Sequence, residues 1–231
     1  MPSQPPPPPR IVVLISGSGT NLQAIIDAIA AHTLHARIAL VVSNRKNAYG
    51  LVRAQTAQIP TCTVSLPQFK AANRSRVDFD LDVAQKIKQH LRDEAGESRG
   101  GGGGGDDEEI LIVLAGWMHI LSSEFITQFP AGRIINLHPA LPGAFDGARA
   151  IERAFEAAQE KKITQTGVMV HRVIPEVDAG EVVVQEAVPI SDGDTLQALE
   201  ERIHAVEHRL IVEGVRVMLG QPQKGPAGMT H

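Results

Sequence analysis

The sequence predicts an α/β fold: a mainly parallel sheet with helices on both faces and an antiparallel hairpin near the C-terminal end. Three observations carry this. Continuous β-branched runs such as Ile11-Val12-Val13-Leu14-Ile15 and Ile110-Leu111-Ile112-Val113-Leu114 have the pattern of strands buried on both faces, as in parallel sheets. Segments with helical spacing of apolar residues alternate with such runs, which is the order of successive βαβ units. Later, Thr164 to Val173 and Glu181 to Val188 are joined only by Ile174 to Gly180, too short for a crossover, so that pair is antiparallel.

The first strand, Ile11 to Ile15, leads into Ser16-Gly17-Ser18-Gly19-Thr20-Asn21 and a helix marked by Leu22, Ile25, Ile26 and Ile29. Strand, glycine turn and helix together aim backbone N–H groups and a positive helix end at an anion. The dinucleotide fingerprint is incomplete, because Leu22 stands where its third glycine would be. The second strand, Ile38 to Val42, ends in Ser43-Asn44 rather than in an acid that would grip a ribose. The loop therefore suits a terminal phosphate on Gly19, Thr20 and Asn21 better than NAD; a purely structural turn is the alternative.

Asn47 to Ala57 is expected to be helical and Pro60 to Ser65 a short strand. A long amphipathic helix follows, with Val77, Leu81, Ala84, Ile87 and Leu91 inward and Arg76, Asp80 and Lys88 among its polar positions. After the buried strand Ile110 to Leu114 come a helix from Ser122 to Gln128, a strand carrying Asn136 and His138, and a helix from Ala150 to Lys161. The hairpin precedes a last helix, Thr195 to Met218, with Leu199, Ile203, Val206, Leu210 and Val217 inward.

Composition narrows the function classes. The 231 residues are 43% hydrophobic and 21% charged, an ordinary globular balance in a chain long enough for a substantial core. A formal net charge of -4 offers no basic field for nucleic acid. The single cysteine, Cys62, rules out an internal disulfide and suits a reducing compartment; its strand-like setting reads as a buried structural thiol. No secretory leader and no membrane-length apolar run is found, so the expected setting is cytoplasmic, with small-molecule substrates as partners and no membrane. No metal is expected, since the nine histidines show no HExxH-type spacing. A weak homo-oligomer is compatible with the sequence.

One domain is expected over residues 10–219. A Pro-rich tail, 1–9, and a flexible tail, 220–231, flank it, and a Gly-rich acidic loop, 96–109, is inserted within it.

Chemistry concentrates in Ile134-Ile135-Asn136-Leu137-His138-Pro139. Alternation along a strand puts Asn136 and His138 on one side, and Pro139 ends the strand while holding His138 extended. An amide beside an imidazole can steady an oxyanion and move a proton. A strand end whose Asn and His merely satisfy loop backbone is the alternative. Asp178, before Ala179-Gly180, reads by itself as a turn-former.

Five pieces in order, IVVLISGSGTNLQAIIDA, VVSNRKNAYGL, VLAGWMHIL, INLHPALPG and HRVIPEVDAGEVVVQ, give the chain from Arg10 to Leu219 a close resemblance to the phosphoribosylglycinamide (GAR) formyltransferases. The resemblance implies a Rossmann-like formyltransferase fold. It further implies 10-formyltetrahydrofolate as formyl donor, GAR as acceptor, and Asn136, His138 and Asp178 as the catalytic trio. It places Gly19, Thr20, Asn21, Pro139 and Glu207 at GAR. Arg76, Met118, His119, Ile120, Leu121, Asn136, and Ile174, Pro175, Glu176, Val177 and Asp178 fall at the folate. His171 matches a supporting histidine, and His119 stands where many members have arginine. An Asp178 loop folded over His138 would favour the imidazolium and raise its pKa. The competing readings are a 10-formyltetrahydrofolate hydrolase, which typically carries an extra domain ahead of the catalytic one, and a non-catalytic phosphate- or nucleotide-binding module.

Overall fold

A computed structural model describes residues 7–98 and 110–222. In chain order the elements are β1 (Arg10–Ile15), α1 (Thr20–Ala30), β2 (Arg37–Ser43), α2 (Tyr49–Thr56), β3 (Thr61–Thr63), α3 (Leu66–Ala71), α4 (Arg76–Ser98), β4 (Leu111–Leu114), α5 (Ser123–Ile126), β5 (Ile134–His138), α6 (Ala150–Gln159), β6 (Gln165–Arg172), β7 (Val182–Pro189) and α7 (Leu196–Met218). The strands form one sheet in the order β3-β2-β1-β4-β5-β6-β7. Pairing is parallel from β3 to β5 and antiparallel from β5 through β7. The predicted fold class is thus the observed one.

Buried strands with side chains on alternate faces need a hydrophobic layer on each side. Ile11, Val13 and Ile15 of β1 pack with Leu22 and Ile25 of α1 and Ile203 and Ile211 of α7. Val12 and Leu14 point the other way, to Phe79, Val83 and Ile87 of α4 and Phe125 of α5. Consecutive elements run outward from β1 in one direction and from β4 in the other, so the β1–β4 boundary is a topological switch point, where loops part and leave a crevice.

Several expected details differ. Leu81 and Val217, expected inward, are 37% and 39% exposed, while Phe79, Val83 and Val215 are buried. In α4 the apolar stripe starts from Phe79 instead of Val77, and Asp80, expected at the surface, is buried with it. Cys62 is half-buried, and burial raises its thiol pKa. Helix α3 was not foreseen; at six residues it is too short for periodicity to register, and Pro67 is tolerated in its first turn. Helix α5 covers only part of Ser122 to Gln128.

The expected tails and insertion fall mainly outside the described residues. Pro9, however, accepts a hydrogen bond from the Arg37 N–H at 2.9 Å, so order begins before Arg10. Helix α4 continues to Ser98, through the start of the expected 96–109 loop. No described helix is long and apolar enough to cross a membrane.

The loop after β1 rests directly on α2. Gly19 has φ +71°, and a Cβ there would meet Gly50 Cα at 2.6 Å. A Cβ on Gly50 would meet Ile15 Cδ1 at 2.4 Å and Gly19 Cα at 3.2 Å. Gly50→Ala is therefore expected to overpack this contact and cost about 1–3 kcal/mol of stability, seen as a lower urea midpoint. An unchanged midpoint would show that the loop yields freely.

Candidate active site

Three loops meet at the switch point. The Ser16 N–H donates to Gly116 O at 3.0 Å, and the Met118 N–H donates to the buried Ser16 hydroxyl at 2.8 Å, which fastens the loop after β4 to the loop after β1. Gly19 is the N-cap of α1 in left-handed geometry and makes no side-chain cap. The first turn of α1 carries no acidic residue, so its positive end stays available to an anion. Beside it, Asn21 Nδ2 donates to Glu207 Oε2 at 3.4 Å. Asn21 Oδ1 is buried with no hydrogen-bond partner in the protein. Burial pushes the Glu207 carboxyl above the ordinary carboxylate range, against the opposing influence of His204 and Asn21.

The second group lies on β5. Asn136 and His138 share the face of Ile134, as alternation requires, and His138 is buried. The β6–β7 loop folds back over them. It can do so because Gly180 lies flat on the Arg172 carbonyl, where a Cβ would stand 1.8 Å from the oxygen. Asp178, at φ 54°, brings one carboxylate oxygen to 3.3 Å from His138 Nδ1 and the other to 3.4 Å from His171 Nε2. The same carboxylate accepts from the Gly147 N–H at 2.8 Å and from Asn136 Nδ2 at 3.4 Å. The trio Asn136, His138 and Asp178 is thus brought together from two distant segments.

His171 completes the cluster. Antiparallel register sets it opposite Asn136, and its Nε2 lies 3.2 Å from Asn136 Nδ2. Its Nδ1 is 2.9 Å from Arg172 O, an acceptor only, so Nδ1 carries the proton and Nε2 accepts from the amide. Asn136 therefore turns its N–H groups toward His171 and Asp178.

His138 Nε2 faces the Phe145 carbonyl at 3.2 Å. Both its partners, Asp178 and Phe145, favour the protonated ring, but burial is the largest influence and the net pKa lies below the ordinary histidine value. This corrects the expectation that Asp178 would raise it. In Asp178 burial works upward, yet the neighbouring His171, the hydrogen bond from the Gly147 N–H and the nearby His138 outweigh it, and the carboxyl titrates below its usual range.

The positions expected at the folate divide by exposure. Met118 and Ile120 are 74% and 58% exposed, and Ile174 and Val177 are also exposed. Leu121 is buried. The His119 ring is turned inward with only 4% of its side chain exposed. Arg76 Nη2 donates to Ile120 O at 3.3 Å, so Arg76 and this stretch are one unit. Sequence reading missed Ser16, Phe145, Gly147 and Asp80; the first and last are buried polar residues, and the middle two act through the backbone.

His138, Asp146 and Asp178 also offer ligand atoms within 4.8 Å of one another. A cation there would have to displace the His138–Asp178 and Gly147–Asp178 contacts, so the grouping fits acid–base work better than coordination.

An acid–base cluster at a strand's carboxyl end, beside an uncapped helix N-terminus and an exposed apolar ledge, defines an α/β group-transfer enzyme. Residues 9–95 and 104–215 match the formyl transferase family. The chain belongs to that family and, within it, is similar to the phosphoribosylglycinamide formyltransferases. That of Dictyostelium discoideum is 46% identical over 216 residues, covering 90% of this chain and 97% of the relative. That of Saccharomyces cerevisiae is 42% identical, covering 93% of this chain and 99% of the relative. A crystal structure of glycinamide ribonucleotide transformylase 1 from Symbiobacterium toebii superposes with a TM-score of 0.76 at 38% identity, covering 92% of this chain and 88% of that one.

The raised Glu207 pKa has a consequence for stability. Glu207 adds stability that is fully present below the ordinary glutamate pKa and is lost as pH rises through the raised one. Glu207→Gln should therefore melt progressively higher than the unsubstituted protein as pH rises through that window. Parallel melting curves across pH would refute this.

Proposed function

We propose that the chain transfers the formyl group of 10-formyltetrahydrofolate to the amine of GAR, giving formyl-GAR and tetrahydrofolate, a step of purine (IMP) biosynthesis. The observation that carries this reading is the convergence of Asn136, His138 and His171 on the Asp178 carboxylate. In this reading the GAR phosphate rests on Gly19, Thr20 and Asn21, with Glu207 and Pro139 on the same side. The folate lies along Arg76, the exposed Met118 and Ile120, and the loop from Ile174 to Val177, whose apolar side chains suit a flat ring.

The amine forms a bond to the formyl carbon as the bond from that carbon to N10 breaks, so one proton leaves the amine and one must reach N10. His138 is the shuttle: its Nδ1 faces a carboxylate and its Nε2 a carbonyl, and burial loosens the second proton that the two acceptors would hold. The oxyanion that develops on the formyl oxygen competes with His171 and Asp178 for the Asn136 N–H groups and takes a hydrogen bond from His138. Asp178 steadies the imidazolium as it forms, at a contact already made.

Release of tetrahydrofolate that depends on GAR, followed by absorbance, tests the function; release without GAR would make the protein a hydrolase. His138→Ala should lower kcat roughly 30- to 1000-fold, about 2–4 kcal/mol of barrier, with smaller changes in KM. Near-normal turnover would remove His138 from the mechanism. Removing the Asp178 charge by Asp178→Asn should lower the His138 pKa further, because that charge raises it. An NMR titration of the ring showing a rise would contradict the pairing.

A further inference from the structure

Two carboxylates are buried among the described residues, Glu207 and Asp80, and only the first has a place in the reaction above. Asp80 is 1% exposed on the inner face of α4, amid Phe79 and Val83. A carboxylate there is costly unless each oxygen is satisfied. Both are. Oδ2 accepts from the Ser122 N–H at 2.8 Å, and Oδ1 lies 2.7 Å from His119 Nε2. Both contacts reach the loop after β4, so one buried charge holds that loop to α4 at two points.

The His119 ring passes the constraint on. Its Nδ1 lies 3.4 Å from Arg76 Nη2. A guanidinium can only donate, so Nδ1 is the acceptor and the ring proton sits on Nε2, directed at Asp80. The ring cannot slide, since Phe79 and Trp117 both meet it edge to face, at 5.2 Å and 6.3 Å between centroids. Because His119 turns inward, its neighbours Met118 and Ile120 turn outward to form the exposed ledge.

From this we infer that Asp80 and His119 are positioning residues for the formyl-donor side of the site. Asp80 fixes the His119 tautomer, and His119 in turn holds the Arg76 guanidinium beside the Met118–Ile120 ledge. The inference rests on the reading of that ledge as the folate side. It assigns to His119 the work of a strut.

The test separates tautomer from turnover. Nitrogen-15 NMR of the ring at mildly alkaline pH, on the free protein, should show the Nε2–H tautomer of His119. In Asp80→Asn the new amide donates to Nε2, and the proton should move to Nδ1, facing Arg76. In kinetics, Asp80→Asn and His119→Leu should raise the KM for 10-formyltetrahydrofolate about tenfold, the loss of one charge-assisted contact. The KM for GAR and kcat should stay unchanged. His119→Gln should restore the donor KM, since its amide donates to Asp80 and accepts from Arg76; neither His119 variant should add to Arg76→Ala.

An Nδ1–H tautomer in the unsubstituted protein, or His119→Gln as impaired as His119→Leu, would overturn the inference. So would equal losses in kcat and both KM values. If the unsubstituted protein does not use the donor at all, the functional reading fails, and the nitrogen spectrum still decides the Asp80–His119 link.

Discussion

The site depends on one carboxylate reached across the hairpin. Asp178 sits in left-handed backbone, an arrangement that Asp tolerates better than most residues but that still costs about 1 kcal/mol. It persists because its two oxygens meet two histidines, an amide and a backbone N–H. Without that charge the loop keeps its Val173 N–H bond to Ile134 O at the start of β5 but loses its contacts with His138, Asn136 and Gly147. The antiparallel turn of the sheet at β5 is what makes the contact reachable, since it sets His171 opposite Asn136 and returns the chain over the same face.

The opposite wall is built by the same physics with different parts. Asp80 holds the loop after β4 from below, and Ser16 holds it from the side. Each is a buried polar group that accepts a hydrogen bond from the loop backbone. Backbone groups at strand ends have lost their ladder partners, and buried side chains replace them. The rigidity of the crevice therefore comes from polar groups that a hydrophobicity pattern would place outside.

That explains what the sequence disclosed and what it hid. Buried β-branched runs announced β1, β2 and β4, and alternation alone put Asn136 and His138 on one face. Asp178 was different: by itself it reads as a turn-former, and only the resemblance raised it to the site. Asp80 read as a polar helix position because its burial is decided by a loop some forty residues later, through the His119 and Ser122 contacts. Phe145 and Gly147 contribute a carbonyl and an N–H, which no residue type reveals. Leu81 lost its expected place for a related reason: the α4 stripe turns to seat Asp80 and Phe79 inward, which carries Leu81 out.

His138 shows how opposing influences can suit a shuttle. Asp178 and the Phe145 carbonyl both draw a proton onto the ring, while burial resists the resulting charge and prevails. The carbonyl is a weakened acceptor as well. Arg153 Nη2 donates to Phe145 O at 2.5 Å and to Asp146 O at 2.6 Å, so a full positive charge already competes for the oxygen that faces His138. Phe145 itself is held at φ 55°, a conformation that the Arg153 contacts help to maintain. A ring with two partners, neither strong enough to offset desolvation, binds its proton loosely and can give it up or take it back without leaving its place. That is what carrying a proton from one nitrogen to another requires.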